Sequence, residues 1–290
     1  MNVLGYAAES AGAPLRLYQF ERRDPRPNDA VVDILYCGIC HSDMHRVNDD
    51  WGNTHFPVVP GHEIIGRVVS RGTRASRFNV GDLVGIGCIV DSCRKCSECR
   101  SGREMFCERG VTFSFDSLEE GKKTWTCGGY STTYVVDERY VLRVPKGLDP
   151  ARASPLMCGG ITTYSPLCQF GCKPGDEVAI VGLGGLGHLA VKLAASMGAD
   201  VTVLSTSRGE GRRCRSPRSQ GLRCNWCSWV TRCACREVQP DSGHSQRHPR
   251  SQQGDCTPAE LRHPGPGWSA TRSQPHRCRC AYPWQQANRG

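Results

Sequence analysis

Four cysteines stand close together in "DSCRKCSECRSGREMFC", at Cys93, Cys96, Cys99 and Cys107. Their C-x2-C-x2-C-x7-C spacing lets four thiolates close a tetrahedral cage on one Zn²⁺, the arrangement of a structural site with no open coordination position. Tight turns between ligands suit a lobe with little core of its own, where metal binding supplies folding free energy. An iron–sulfur cluster also takes four cysteines, but the C-x2-C-x2-C-x3-C-P run of bacterial ferredoxins is not the spacing here. The compartment matters to this reading. The N-terminus shows no basic region followed by an apolar run, so no signal peptide is read. A cytoplasmic protein is expected, and in that reducing setting clustered thiols serve as ligands rather than as disulfides.

A second kind of chemistry is written in "GLGGLG". Gly182, Gly184 and Gly187 match G-x-G-x-x-G, with Gly185 between them, after an apolar run "EVAIV" and before a helical pattern. In that context glycines permit a tight turn and close backbone approach to a pyrophosphate, which then faces a helix N-terminus. A plain glycine-rich turn is the other reading of the string. An acidic residue about 20 positions on would bond a ribose 2′-hydroxyl. This chain has Ser205, Thr206, Ser207 and Arg208 there, hydroxyls and a guanidinium that suit a 2′-phosphate, so NADP(H) is favoured.

The elements that must position these groups fall into two kinds. From 28 to 145, short β-rich runs punctuated by Gly, Pro and Asp predict a mostly antiparallel β domain. After 150 the pattern turns helical, and then "GDEVAIVGLGGLGHLAVKLAASMGADVTVLST" reads as strand, turn, helix and strand, one βαβ unit of a doubly wound sheet. The longest apolar run is broken by glycines, His188 and Lys192, too short and interrupted for a membrane span.

Charge divides the 290 residues at about the same place where the pattern ends. Residues 1–208 hold 23 Lys and Arg against 23 Asp and Glu, whereas residues 209–290 hold 14 Arg, no Lys and 5 acids. That final segment has two Leu, two Val and no Ile, Met or Phe, too little apolar surface to offset chain entropy. It is expected to be disordered, and its composition suggests a GC-rich reading frame shifted out of register. Its Cys224, Cys227, His244 and His248 mimic a zinc finger, but no apolar residues stand where a small core needs them. Its arginines could adhere to nucleic acid without reading sequence; no specific nucleic-acid partner and no membrane partner is expected.

The string G-H-E-x2-G-x5-G-x2-A beginning at Gly61, "CGICHSDMH" before it and the cysteine quartet after it closely resemble the zinc-dependent alcohol dehydrogenases of the medium-chain dehydrogenase/reductase family. "DDWGNTHFPVVPGHE" and "GGYSTTYVVDERYVLRVP" look most like its cinnamyl-alcohol-dehydrogenase branch. The likeness covers residues 1–207. It implies an α/β chain, α+β overall: a GroES-like catalytic domain over 1–153, the first part of a Rossmann NADP-binding domain over 154–208, and a non-homologous tail over 209–290. It places Cys40, His62 and Cys158 on a catalytic zinc, with Asp43 and Glu63 close behind, and a structural zinc on the quartet, two Zn²⁺ per chain. It makes Ser42 the acceptor of the substrate hydroxyl proton, passed through the cofactor ribose to His45. It puts His41 near the pyrophosphate and Thr162 near the nicotinamide. The activity implied is interconversion of small primary alcohols and aldehydes, in relatives that are homodimers. A catalytically inactive zinc-binding remnant and a basic-tail nucleic-acid binder are the alternatives.

Overall fold

Val- and Ile-rich runs form strands whose apolar side chains are buried against a common core, several of them at consecutive positions. The computed structural model describes residues 1–119 and 124–205, together with the backbone of 223–226. Contacts divide the chain into Met1–Val238 and Gln239–Gly290, and every described residue lies in the first of these.

Five strands form the main sheet: β3 (Asp29–Cys37), β4 (Ile64–Arg71), β5 (Leu83–Ile86), β8 (Thr133–Asp137) and β9 (Val141–Arg143), in the order β8-β3-β4-β5-β9. All pairs are antiparallel, with Val32 opposite Tyr134 and Ile64 opposite Ile86. Val32, Ile64, Val68, Val84, Ile86, Tyr134, Val136 and Val141 pack as one buried cluster. The β3–β4 register slips between Ile34 and Tyr36. A bulge of this kind bends a strand and re-aims the chain beyond it, here into the turn that carries Cys40. An N-terminal hairpin, β1 (Asn2–Ala7) with β2 (Arg16–Glu21), lies before the segment expected to be β-rich.

The short strands β6 (Ile89–Asp91) and β7 (Thr112–Phe113) pair antiparallel and close the base of the loop that carries the four clustered cysteines. That loop holds one four-residue helix, α2 (Ser97–Arg100). Helix α1 (His41–Asn48) leaves the end of β3. After α3 (Pro150–Ala153) and a 3₁₀ turn at Ser154–Met157, α4 (Gly159–Gln169) leads to β10 (Glu177–Val181), α5 (Gly185–Ser196) and β11 (Asp200–Ser205).

β10 and β11 are parallel, as the βαβ reading requires, and α5 lays Val191 and Ala194 on Val201 and Val203 of β11. One finding departs from the sequence reading. Arg223–Trp226, inside the segment expected to be disordered, forms β12 and pairs parallel with β11. An open sheet edge offers unpaired backbone groups to whatever strand reaches it, with little demand on side chains, so composition gave no sign of it. The rest of 209–290 lies outside the described residues, as do Thr206, Ser207 and Arg208. No helix among the described residues is long and apolar enough to cross a membrane.

Candidate functional site

Cys40 ends the turn after β3 in extended backbone and caps α1. The cap fixes Asp43: its Oδ2 accepts the Cys40 amide at 2.9 Å, so the first turn of the helix is tied back on itself. Ser42 lies within the first turn of the helix. The other carboxylate oxygen, Oδ1, accepts the Gly61 amide at 2.9 Å and bonds His62 Nδ1 at 2.9 Å. With Nδ1–H spent on Asp43, Nε2 is the ring atom left to face a cation, once it gives up its proton.

Cys158, 118 positions from Cys40, arrives at the junction between the 3₁₀ turn and α4, and its Sγ lies 3.9 Å from Cys40 Sγ. Donor atoms of Cys40, His62, Glu63 and Cys158 all lie within 4.8 Å of one another. Two thiolates at Zn–S distances of about 2.3 Å and a tetrahedral angle stand about 3.8 Å apart, so the pair has the span that Zn²⁺ asks for. Glu63 was expected close behind the ligands but contributes an oxygen to the cluster itself. Glu63 Oε2 is buried and bonds no polar group among the described residues. An orphaned carboxylate oxygen beside two thiols and an imidazole is a donor set for a divalent cation.

Protonation bears this out chemically. Burial, followed by repulsion from Cys40, lifts the Glu63 carboxyl to about 7. The bond with Cys158 leads in pushing the Cys40 thiol up to about 11. Burial lowers the His62 imidazole, but its bonds to Asp43, Cys158 and Cys40 outweigh that and push it up to about 12. A divalent cation taking both sulfurs and the nitrogen must displace protons. Zn²⁺ titration of the metal-stripped chain at pH 7 is therefore expected to release at least one proton per ion at this site, read by a pH indicator in weak buffer. In Cys40→Ser the release should fall.

The quartet is assembled locally. The Sγ atoms of Cys93, Cys96, Cys99 and Cys107 lie within 4.8 Å of one another, with Cys93 and Cys99 at 3.8 Å. Backbone amides point at the sulfurs: Lys95 and Cys96 donate to Cys93, Cys99 to Cys96, and Cys93 to Cys107, at 3.4–3.5 Å. Amide donors favour the charged thiolate, and those of Lys95 and Cys96 lower the Cys93 thiol to about 6. Arg94 takes a left-handed backbone, φ 59°, to turn the chain between ligands.

Ser42 Oγ lies 3.7 Å from Cys40 Sγ, and His45 is three residues further along α1. His45 Nδ1 bonds Asp50 Oδ2 at 2.7 Å, and its ring meets that of His41 edge-on at 4.6 Å. Among the described residues no direct bond joins Ser42 to His45.

At the glycine turn, Gly182 is left-handed at φ 84°. A Cβ on Gly187 would sit 2.0 Å from the Gly182 carbonyl oxygen, while Gly184 and Gly185 face open space. Gly184 caps α5 without side-chain help, which leaves first-turn amides for an anion. Thr162 is on α4, its amide bonded to the Cys158 carbonyl, and Gly159 lets Leu186 and Leu189 of α5 approach closely. Thus one helix pair links the sulfur of Cys158 to the glycine turn. Ser205 ends β11.

Two residues near the cluster escaped the sequence reading. Phe115 stacks on the His62 ring with centroids 5.7 Å apart, and Tyr130 Oη donates to Asp43 Oδ2 at 3.1 Å. Tyr130 stands in the string "GGYSTTYVVDERYVLRVP", but that likeness gave it no role, and the contacts of both residues are visible only when distant loops are brought together.

Residues 26–146 match the alcohol dehydrogenase GroES-like domain. The chain is 52% identical over 207 residues to NADP-dependent alcohol dehydrogenase C of Mycobacterium bovis, covering 71% of this chain and 59% of that protein. It is 47% identical over 211 residues to aldehyde reductase YahK of Escherichia coli, covering 72% and 60%. Among solved structures it resembles a cinnamyl alcohol dehydrogenase of Sorghum bicolor, with TM-score 0.74 and 39% identity over 77% of this chain and 64% of that one. A Helicobacter pylori structure described as CAD complexed with NADP(H) gives TM-score 0.73 and 38% identity, over 78% and 64%. The chain thus spans about three-fifths of the length of these relatives.

Proposed function

Because the chain belongs, over 207 aligned residues, to the medium-chain dehydrogenase/reductase family in its cinnamyl-alcohol-dehydrogenase-like branch, we propose that the protein interconverts small primary alcohols and aldehydes with NADP(H). The observation that carries this reading is the convergence of Cys40, His62 and Cys158, far apart in sequence, on one point beside an orphaned carboxylate oxygen. We assign a catalytic Zn²⁺ to those three residues and a structural Zn²⁺ to Cys93, Cys96, Cys99 and Cys107. When bound, the first would act as a Lewis acid toward the alcohol or aldehyde oxygen.

The chain's own residues do the rest. Asp43 fixes the His62 ring and its tautomer. Ser42, beside Cys40, is the acceptor of the substrate hydroxyl proton, and His45, bonded to exposed Asp50, is the group that exchanges it with solvent. Gly182, Gly184, Gly185 and Gly187 receive the pyrophosphate, with His41 as a further contact to it and Thr162 beside the nicotinamide. Ser205, with Thr206, Ser207 and Arg208 beyond the described residues, accounts for the preference for a 2′-phosphate. In this reading the GroES-like catalytic domain runs over 1–153, the nucleotide-binding part begins at 154, and the protein works in the cytoplasm.

The test is NADPH oxidation by the full chain with a panel of aldehydes, alongside metal content. Turnover with about two Zn²⁺ per chain is the expected result; zinc on the quartet alone, with no turnover, would mean a non-catalytic remnant. A further expectation concerns the turn. Gly187→Ala places a methyl group against the Gly182 carbonyl at 2.0 Å, so either the turn opens or the helix shifts. NADPH affinity, followed by fluorescence, is expected to fall about tenfold or more, with metal content unchanged.

A further inference from the structure

Asp43 is fully buried and takes four hydrogen bonds. Three come from its own neighbourhood: the Cys40 amide, the Gly61 amide and His62 Nδ1. The fourth comes from Tyr130 Oη at 3.1 Å, 87 residues away. Its alternative acceptor, the Gly38 carbonyl, is 3.5 Å off, so the hydroxyl proton is directed at Asp43.

The hydroxyl is held in place by backbone. The Gly128, Gly129 and Tyr130 amides donate to the carbonyls of Val59, Gly61 and Pro60 at 2.6–3.0 Å, which zips this loop onto the segment that delivers His62. Gly61 is left-handed, and a Cβ there would strike the Tyr130 ring at 2.8 Å. From behind, Arg22 clamps the same loop through the carbonyls of Cys127, Gly128 and Thr133 and the Ser131 hydroxyl, at 2.7–3.0 Å. Its guanidinium lies 4.3 Å over the Tyr134 ring. A rotor at the end of an otherwise mobile side chain is thereby fixed within reach of one carboxylate oxygen.

Charge says what the bond is for. With Cys40 and Cys158 as thiolates and Asp43 and Glu63 ionised, the site holds four negative charges against the two positive charges of a zinc ion. A donor to Asp43 disperses part of that excess without adding a charge of its own. We propose that Tyr130 is a positioning residue of the metal centre, acting through Asp43 and His62 on how tightly the ion is held and on the field of its ligands. This rests on the assignment of a metal to Cys40, His62 and Cys158.

The test uses the full chain, stripped and reloaded. Zn²⁺ affinity is measured by competition with a chromophoric chelator, and Co²⁺ is added to read thiolate charge-transfer and d–d absorption. The spectrum of Cys40→Ser, which keeps the quartet, is subtracted to isolate the site. Tyr130→Phe keeps the ring and the backbone zip and removes only the hydroxyl. The expected result is Zn²⁺ held about 3- to 10-fold more weakly, less than the 10- to 100-fold typical of a group bonded to the ligand itself, with a displaced Co²⁺ difference spectrum. In an Asp43→Asn background the same change should add less than about twofold, because the two residues act as one unit. An affinity and difference spectrum indistinguishable from the unsubstituted chain would overturn the role of Tyr130 while leaving the site intact. An effect of full size in the Asp43→Asn background would overturn it as well. If Cys40→Ser leaves the Co²⁺ spectrum unchanged, no metal occupies the site and both readings fall.

Discussion

Replacing Cys99 by Ser is expected to halve the zinc content and to open the loop between β6 and β7 to protease. Cys99 is buried, lies 3.8 Å from Cys93 Sγ and meets Ser92 Oγ at 3.3 Å. The loop it anchors contains one helix of four residues and one 3₁₀ turn, and its larger apolar side chains, Met105 and Phe106, are exposed. Little apolar burial is therefore available to hold it. What remains is the metal, and structural Zn²⁺ contributes on the order of 10–16 kcal/mol of apparent binding free energy in small zinc-dependent folds at pH 7. A hydroxyl is a poor substitute for a thiolate on Zn²⁺. Zinc per chain by plasma emission, together with limited proteolysis mapped by mass spectrometry, reads the outcome. Retention of two zinc ions and an unchanged cleavage pattern would mean that Cys99 is needed to hold neither the ion nor the loop. Because β6 and β7 close the base of this loop, loss of zinc is expected to reach the Ser92–Tyr140 hydroxyl bond of 2.6 Å and, through Val90 and Tyr140, the margin of the main core cluster, while the rest of that cluster is supplied by the strands of the main sheet and Phe78.

The quartet and the glycine turn were legible in the sequence because both are local. Their chemistry is set by residues a few positions apart, and spacing alone states the geometry. The antiparallel β character of this region was legible for a similar reason, since short β-rich runs separated by Gly, Pro and Asp are local signals; the five-strand order was not. Cys158 was different. Nothing in "SPLMCGGITTYSP" marks it as a ligand, and only the family likeness paired it with Cys40; the fold supplies the pairing by running the chain through β9, α3 and a 3₁₀ turn back to the end of β3. Glu63 was expected close behind the ligands, but the string G-H-E does not say which way the carboxylate turns, and the fold brings its oxygen within 4.8 Å of the other donor atoms. Tyr130 was overlooked for the same physical reason as Cys158: it lies in a string that resembles the family, but the likeness assigned it no partner. Its meaning lies in a backbone pairing between residues 58–61 and 128–130, which no short window of sequence contains. The strand Arg223–Trp226 was missed because edge pairing is made by backbone groups, while the reading rested on the scarcity of apolar side chains around it.

Cys158→Ala is expected to remove the metal from the proposed catalytic site and to lower kcat for NADPH-dependent aldehyde reduction by at least about 10³-fold, with one zinc ion remaining on the quartet. Lewis-acid polarisation is worth several kcal/mol of transition-state stabilisation, and each 1.36 kcal/mol is tenfold in rate, so about 4 kcal/mol gives the thousandfold estimate. The methyl group of alanine cannot ligate, and the remaining set of Cys40, His62 and the carboxylate of Glu63 would have to hold the ion with one thiolate fewer. Because Cys158 also opens α4, whose Gly159 packs against Leu186 and Leu189 of α5, a loss of activity could in principle come from a displaced glycine turn. NADPH affinity separates the two: it should stay within about threefold of the unsubstituted chain if only the metal is lost, since the backbone at residue 158 does not depend on its sulfur. Activity within tenfold of the unsubstituted protein would remove the metal from the reaction and leave the convergence of the three ligands without a catalytic purpose.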